Sequence, residues 1–329
     1  MSAVTGERGL KPIYTPKELL QFVPDVYNYC NFTFATVAYQ DSTNIHPDDW
    51  VKMTCEIEAS CKAGIGGVII IHGTDTMAYT ASMLSFMIKN PPFPIVLTGS
   101  QLPLELPDSD GKKNLLNAVQ FAVFGIPGIF IIFDGKVIRG VRASKVNTTS
   151  FHAFESINAP PVAEFENKDY LGPPPQTIPI NKIDWQTNYS GGETVFDVKI
   201  DTLVMSVTIT PGFHPVWLRS FLDPEKFHGL IIEGFGTGNI PNRQPFNLLP
   251  EIKSLMNAGI PVLVQSVCPY GKVSMDLYEV GRDALDIGII PGGGLTKEAA
   301  LTKMMWTLGH SRDPEEVKKI MLTNIAGEI

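Results

Sequence analysis

A polar cluster directly follows a short apolar stretch near residue 70. The stretch Val68–Ile71 (VIII) leads into His72–Thr76 (HGTDT). Two hydroxyls and a carboxylate in close succession could hold an ammonium group and supply a nucleophile, provided that a base lies nearby. The alternative is a structural turn in which Gly73 allows the bend and Thr74 or Asp75 caps the next helix. The residue types alone leave both interpretations open.

The candidate base is Lys145, in the segment Arg142–Thr149 (RASKVNTT). A lysine whose ammonium group is desolvated in a cleft gives up its proton more easily and can then act as a base. The alternative is an ordinary solvated lysine on the surface. The sequence therefore offers a base without showing that it lies near Thr74.

A third polar cluster, Gln40–Asn44 (QDSTN), follows an apolar stretch that ends at Tyr39. Asp41 and Ser42, together with the neighbouring amide and backbone N–H groups, could bind the head group of a small ligand. The alternative is a loop that leads into a helix beginning at Pro47.

The sequence gives no sign of a metal or cofactor site. Cysteines show no C-x-x-C pair, and histidines show no H-x-x-x-H pair. We therefore expect no metal, no cofactor and, for His72, a buried orienting role beside Thr74. The glycine-rich stretch Gly234–Gly238 departs from the G-x-G-x-x-G spacing of dinucleotide-binding loops, which favours a turn.

Composition limits the class of protein further. The chain has 329 residues, 44% of them hydrophobic and 18% charged, as in an ordinary globular protein of about two domains. Its net charge of −8 provides no basic field for a phosphate backbone, so we expect no nucleic-acid partner. An apolar run long enough to cross a membrane and an apolar signal-peptide core are both absent from the sequence. We expect a cytoplasmic protein with no membrane partner.

Apolar β-branched runs alternate with segments of helical period, which is typical of parallel βαβ units. We predict strands at 32–39, 67–71, 94–98, 128–133, 203–208, 229–232 and 261–265, with the strand at 67–71 buried on both faces. We predict helices at 47–63, 76–90, 112–124, 215–222, 246–258, 296–308 and 314–325.

The fold class is therefore α/β with two domains. A larger N-terminal domain with a doubly wound sheet occupies residues 1–190 and a smaller C-terminal α/β domain occupies 205–329. Residues 191–204, after a stretch rich in proline and glycine, are interpreted as a linker.

Several motifs taken together resemble those of the type I, cytoplasmic L-asparaginases, and they extend over nearly the whole chain. They are His72–Tyr79 (HGTDTMAY), Leu97–Gln101 (LTGSQ), Ser109–Gly111 (SDG), Asp41–Ser42, Arg142–Lys145, Tyr278–Arg282 (YEVGR) and Thr296–Ala299 (TKEA). The resemblance implies a two-domain asparaginase-like fold. It also implies hydrolysis of the side-chain amide of L-asparagine to L-aspartate and ammonia, without a cofactor, by a homodimer or homotetramer.

The same resemblance assigns catalytic roles. It implies that Thr74 is one of two catalytic threonines, that Lys145 helps to activate a hydroxyl, and that Asp75 holds the α-ammonium group of the substrate. Tyr14, in a mobile segment at residues 10–15, corresponds to a lid tyrosine that closes over the substrate and excludes water.

The remaining assignments concern substrate binding. Asp41 and Ser42 correspond to residues that engage the amino-acid head group, and Ser100 is placed with them. Tyr278 resembles a residue that a neighbouring subunit contributes to the site.

The sequence departs from the family at its start. Family members begin with an apolar strand that ends in a Gly-Gly-Thr-Ile-like turn, and the threonine of that turn is the primary nucleophile. This sequence begins Met1-Ser2-Ala3-Val4, and we assign the nearby Thr5 to the lid segment. Either the given start lies inside a longer protein, which we favour, or the product is a shortened relative without catalysis. For the chain as given we expect little or no hydrolysis and an exposed sheet edge.

Two other functions fit the same motifs. One is an ammonia-releasing subunit of a tRNA-dependent amidotransferase. The other is a protein that binds asparagine or aspartate without turnover.

Overall fold

The computed structural model describes residues 14–166, 180–181, 192–221 and 223–329. The chain divides into two compact units, Met1–Val198 and Lys199–Ile329, and this boundary falls within the range predicted as a linker. Thr5 and the first part of the predicted lid segment, residues 10–13, lie outside the described residues. None of the helices in the described ranges is both long enough and apolar enough to span a bilayer.

The first unit contains four α-helices and ten strands in its described part. The helices are α1 Pro16–Leu20, α2 Pro47–Lys62, α3 Met77–Met87 and α4 Gly111–Phe124. The strands are β1 Val68–Ile71, β2 Ile88–Lys89, β3 Pro94–Thr98, β4 Gly128–Phe133, β5 Lys136–Arg139, β6 Ala143–Lys145, β7 Phe154–Ser156, β8 Ala163–Phe165, β9 Ile180–Asn181 and β10 Val195–Phe196.

Within the described residues, the main sheet of this unit has six strands in the order β1-β3-β4-β5-β8-β9. Strands β1, β3 and β4 are parallel, and β5, β8 and β9 continue the sheet antiparallel. The helices α3 and α4 make the crossovers from β1 to β3 and from β3 to β4, so the carboxyl ends of these strands meet at one edge. Two smaller ribbons pair β2 with β10 and β6 with β7.

The predicted strand at 32–39 is wrong. The segment carries no strand assignment, although its neighbour α2 begins at Pro47 as predicted. A strand needs the N–H and C=O groups of a neighbouring strand, and within the described residues none lies along this segment. Phe34 and Tyr39 are consequently exposed, at 42% and 53%.

The strand predicted to be buried on both faces is only half-buried. All four residues of β1 are of intermediate exposure, whereas all five residues of β3 are buried. In the described part of the chain β1 pairs with β3 alone, so β1 forms the edge of the sheet. Ile69 and Ile71 pack against α4 through Leu115, Leu116 and Val119.

The second unit is a smaller α/β layer structure. Its four strands are parallel and lie in chain order: β11 Val204–Thr208, β12 Gly229–Gly234, β13 Val262–Ser266 and β14 Ile290–Pro291. Its α-helices are α5 Leu249–Asn257, α6 Glu279–Asp286, α7 Lys297–Leu308 and α8 Pro314–Leu322.

Two details of the second unit differ from prediction. The helix predicted at 215–222 is a 3-10 helix over Pro215–Phe221, and residue 222 lies outside the described residues. The helix α6 was not predicted; it is only eight residues long, four of them are charged, and it buries only Gly281 and Ala284. The two-domain α/β class itself is confirmed.

Candidate active site

The turn after β1 brings the first polar cluster to the carboxyl edge of the sheet. The N–H of His72 donates to the carbonyl of Thr98 at 2.8 Å, which extends the β1–β3 ladder by one residue. A Cβ on Gly99 would lie 2.2 Å from the carbonyl oxygen of His72, so only glycine permits this approach. The chain then turns into α3, leaving Thr74 6% exposed.

Thr74, Asp75 and Lys145 lie in direct contact. The Lys145 Nζ donates to Thr74 Oγ1 at 2.8 Å and to Asp75 Oδ1 at 2.6 Å. The side chain of Lys145 is 15% exposed, while that of Asp75 is 61% exposed. The cluster thus combines a buried hydroxyl, a lysine side chain that is mostly buried and a carboxylate open to solvent.

A short ribbon holds Lys145 in this place. Lys145 ends β6 and pairs with Phe154 of β7. The 3-10 helix Gly140–Arg142 precedes β6, and a Cβ on Gly140 would lie 2.7 Å from the carbonyl oxygen of Ala81 in α3. Close contact with α3 therefore fixes the start of the ribbon, and Lys145, 71 positions from Thr74, is brought back to it.

A chain of hydrogen bonds among buried side chains holds His72 and the peptide that leads into Thr74. His72 Nδ1 lies 2.7 Å from the carbonyl oxygen of Gly73, which can only accept, so Nδ1 carries the proton. His72 Nε2 then accepts from Thr80 Oγ1 at 2.9 Å, and Thr80 Oγ1 accepts from Trp50 Nε1 at 3.0 Å. Burial lowers the pKa of His72 below its ordinary value, which keeps the ring neutral.

The loop after β3 contributes Gln101, which sequence reasoning did not single out as a site residue. Thr74 Oγ1 donates to Gln101 Oε1 at 3.2 Å, and Gln101 Nε2 donates to the carbonyl of Ser150 at 3.2 Å. The motif Leu97–Gln101 was noted in the sequence, but the contact between Gln101 and Thr74 arises only because β1 and β3 are neighbours.

Asp110 and Asn114 hold this loop from the start of α4. The carboxylate of Asp110 accepts from the backbone N–H groups of Gln101 and Leu102, at 3.0 and 3.1 Å. Asn114 Nδ2 donates to Asp110 Oδ2 and to the carbonyl of Gly99, and Asn114 Oδ1 accepts from the N–H of Asp134. One amide therefore links the carboxyl ends of β3 and β4.

Asp41 and Ser42 lie beside the same turn. Thr76 Oγ1 donates to the carbonyl of Ser42 at 2.7 Å, which joins their loop to the start of α3. Asp41 caps the 3-10 helix Ser42–Asn44, and hydrogen bonds from the hydroxyl and N–H of Thr43 lower the pKa of its carboxyl. Asp41 stays ionised and exposed, while Ser42 is buried.

The other predicted site residues are placed as follows. Ser100 is 4% exposed and lies next to Gln101. Tyr14 packs the edge of its ring against Phe22, and within the described residues no hydrogen bond links it to Thr74 or Lys145. Tyr278 belongs to the second unit, where it is exposed at the start of α6. Roles for Tyr14, Ser100 and Tyr278 stay predictions.

Histidine, cysteine and carboxylate side chains form no group of three or more suited to a metal ion within the ranges that the structure describes. The side chains that meet at the cluster carry hydroxyl, amine, carboxylate and amide groups. Such a set can transfer a proton from a hydroxyl and hold a cationic ligand group.

Comparison with known proteins decides the family. The family model described as "Asparaginase, N-terminal" matches residues 1–173, more than half of the chain. This chain belongs to the asparaginase family. The model for the "Glutaminase/Asparaginase C-terminal domain" matches residues 203–321 of the same chain.

Individual asparaginase relatives agree with this membership. The chain is 44% identical to an L-asparaginase of Thermococcus kodakarensis over 289 residues, covering 88% of this chain and 83% of that protein. It is 34% identical to a glutamyl-tRNA(Gln) amidotransferase component of Pyrococcus horikoshii over 325 residues, covering 97% of this chain and 71% of that protein. The solved structure of the thermostable L-asparaginase from Thermococcus kodakarensis matches with a TM-score of 0.87 at 39% identity, covering 100% of this chain and 95% of that one.

Proposed function

We propose that this asparaginase-family protein hydrolyses the side-chain amide of L-asparagine to L-aspartate and ammonia. The observation that carries the proposal is the contact of Lys145 Nζ with both Thr74 Oγ1 and Asp75 Oδ1. The 44% identity to an L-asparaginase gives the substrate.

In the proposed reaction a hydroxyl oxygen adds to the amide carbonyl of the substrate. In the structure Lys145 Nζ donates to Thr74 Oγ1. For the reaction Lys145 releases one proton to solvent, and the Thr74 hydroxyl then rotates about its C–O bond and gives its proton to the resulting amine, so that Asp75 holds the ammonium that forms. The carbonyl then re-forms as the C–N bond breaks, and the departing nitrogen takes up a proton and leaves as ammonia. Water supplies the second oxygen of aspartate, either by hydrolysing an ester with a threonine or by attacking the amide directly.

Substrate binding falls to the exposed carboxylates. Asp75 is 61% exposed while Thr74 is buried, so it can reach the α-ammonium group of the substrate. Asp41 and Ser42 lie beside the turn through Thr76 and are proposed to bind the amino-acid head group. The proposal gives a role to three further residues. Ser100 binds substrate, Tyr14 belongs to the lid, and Tyr278 reaches the site of a neighbouring subunit.

The first experiment measures ammonia release from L-asparagine by two purified proteins. One is the 329-residue chain. The other is extended upstream through an in-frame strand that ends in Gly-Gly-Thr. Activity in either form supports the proposal, and activity in the extended form alone assigns the nucleophile to the added segment. Folded but inactive proteins in both cases would refute hydrolysis, and calorimetric binding of asparagine would then identify a binding protein.

The second experiment replaces Thr74 by valine in the active form. Valine keeps the branched shape at this buried position but removes the hydroxyl, so we expect turnover to fall by about a hundredfold or more. Thr302→Val is the matched control, because Thr302 is also buried but lies in α7 of the second unit, where its hydroxyl donates to the carbonyl of Glu298. Near-normal turnover of a folded Thr74→Val protein would contradict the assignment.

The identity to the amidotransferase component of Pyrococcus horikoshii favours a second candidate function. In that case the same hydrolysis would supply ammonia to a partner protein. Co-purification of a second protein, with glutamine-tRNA formation dependent on both, would support it. The higher identity to the L-asparaginase favours a free-standing hydrolase.

The proposal includes a cytoplasmic homo-oligomer that uses no cofactor. Tyr278, exposed in the second unit, is the residue expected to reach the site of a neighbouring copy. Light scattering after size-exclusion chromatography tests this part. A monomer with full activity would contradict it.

A further inference from the structure

Gln101 joins three segments that are far apart in the sequence. Its side-chain oxygen lies 3.2 Å from Thr74 Oγ1, in the turn after β1. Its side-chain nitrogen lies 3.2 Å from the carbonyl oxygen of Ser150 and 3.5 Å from that of Asn147, in the loop after β6. Its own backbone belongs to the loop after β3. The residue therefore lies at a junction that includes the catalytic cluster.

The partners of Gln101 determine which way its amide points. The carbonyl oxygens of Asn147 and Ser150 can only accept, so the amide NH₂ must face them. The amide oxygen must then face Thr74, and because that oxygen can only accept, the Thr74 hydroxyl must donate to it. An ammonium on Lys145 can only donate, so Thr74 Oγ1 accepts from Lys145 while it donates to Gln101.

Both ends of Gln101 are themselves fixed. Its backbone N–H donates to both carboxylate oxygens of Asp110, at 3.0 Å each. The loop that receives its side chain is closed by Asn147, whose Oδ1 accepts from the N–H groups of Thr149 and Ser150 at 2.9 and 2.8 Å. A hydrogen bond between two anchored partners holds its geometry better than one to a free side chain.

We infer that Gln101 is a positioning residue for Thr74: its amide oxygen holds the Thr74 hydroxyl in one rotamer against Lys145, and its amide nitrogen fixes the 147–150 loop to that hydroxyl. This inference rests on the proposed function, in which Thr74 exchanges its proton with Lys145. Threonine has restricted χ1 rotamers, so one added bond is enough to select one of them. Gln101 itself takes no proton.

The test compares Gln101→Met with Gln101→Glu in the active form of the protein. Methionine has a similar length but removes both hydrogen bonds. Glutamate keeps an oxygen that accepts from Thr74 but loses the NH₂ that donates to the carbonyls of Asn147 and Ser150, so it tests the bond to Thr74 apart from the bond to the loop. We expect Gln101→Met to lower kcat about tenfold while KM changes less than about twofold, since one hydrogen bond that acts on the reacting group is lost. We expect Gln101→Glu to recover kcat to within about threefold of the parent, as one such bond returns.

A second measurement reads the rotamer without turnover. Three-bond couplings of the Thr74 γ-methyl group, assigned by its loss in Thr74→Val, report whether χ1 is single or averaged. We expect a single rotamer in the parent and in Gln101→Glu, and averaging in Gln101→Met. Gln21→Met, at the exposed end of α1, is the control and should change neither measurement.

A folded Gln101→Met protein with unchanged kcat and a single Thr74 rotamer would overturn the inference. Absence of turnover in the parent would count against the proposed function alone, because the couplings still report the rotamer. Averaging in Gln101→Met that Gln101→Glu reverses would therefore support the positioning role even then.

Discussion

Lys145 contacts Asp75 in the first unit and Lys303 contacts Glu328 in the second, each at 2.6 Å. The second pair is completely buried on both sides, whereas Asp75 is 61% exposed. Lys303 Nζ also donates to the carbonyls of Met321 and Thr323, which uses its three protons. Glu328 accepts from the backbone N–H groups of Ile325 and Ala326.

The difference separates a structural ion pair from the pair that we propose to take part in catalysis. All three N–H groups of the Lys303 ammonium have acceptors. The pair therefore holds the C-terminal residues against α7, and Lys303 has no free donor for a ligand. Burial lowers the pKa of Lys303, and Glu328 opposes that shift. Lys145 instead divides its bonds between a hydroxyl and a carboxylate open to solvent, so a ligand can change its partners.

The largest expected effect is on turnover by Lys145→Met. Loss of the proposed base should lower kcat by about 10²–10⁴-fold, while the free energy of unfolding changes little, because the partner Asp75 stays solvated. Steady-state ammonia release and denaturant unfolding measure the two quantities. Lys136→Met removes a lysine that pairs with Glu155 and should leave kcat within about twofold, because it touches none of the reacting groups.

Lys303→Met should show the reverse pattern. It leaves the Glu328 carboxylate buried without its counter-ion, which costs about 3–5 kcal/mol of unfolding free energy. Native-state hydrogen exchange of α7 and α8 amides measures it. Lys297→Met, exposed on the same helix, should change this free energy by less than about 0.5 kcal/mol.

The double variant Lys303→Met with Glu328→Gln sharpens this comparison. It removes the buried charge but keeps an oxygen for the amides of Ile325 and Ala326, so stability should partly return. A double variant no more stable than Lys303→Met would show that packing, and not charge, is responsible.

His72 gives the first unit a pH-dependent stability. Burial lowers the pKa of His72, so below the ordinary pKa of histidine the unfolded chain binds a proton at this residue that the folded chain does not bind. The unfolding free energy should therefore be constant well above about pH 6.5 and should fall as the pH drops below it, by up to about 1.4 kcal/mol per pH unit. Hydrogen exchange of α3 amides between about pH 7.5 and 5.5, a range that brackets the ordinary pKa of histidine, measures it after correction for intrinsic rates.

The pH effect should disappear in His72→Asn and persist in His214→Asn, which changes an exposed histidine of the second unit. If the unfolding free energy changed equally with pH in the parent and in His72→Asn, another group would be responsible for the pH dependence.

The smallest expected effect is on the stability of Asp75→Asn. An ion pair with one partner mostly exposed contributes about 0–1 kcal/mol, so the unfolding transition should hardly move. KM for L-asparagine should rise, because the carboxylate proposed for the α-ammonium group is gone. Asp48→Asn, at the exposed start of α2, is the control. If Asp75→Asn lowered the unfolding free energy by several kcal/mol, the two ion pairs would not differ in their contribution to stability.

Much of the fold could be predicted from sequence. Apolar β-branched runs located β3, β4, β12 and β13, and Pro47 with two following acidic residues located the start of α2. The prediction failed at 32–39, where the pattern favours a strand but no partner strand lies alongside in the described residues. It failed in the same way for the burial of β1, since an apolar sequence does not show on which side neighbours will lie.

The candidate site also has some features that the sequence predicts and others that depend on tertiary contacts. Residue types and local turns determined that Thr74, Asp75 and Asp41 are polar groups at the ends of elements, because these features depend on neighbours within a few positions. The tertiary structure alone decided that Lys145 meets Thr74 from 71 positions away and that Gln101 joins them. Those contacts follow from the order β1-β3-β4 and from the close packing of Gly140 on α3, which are properties of the assembled sheet.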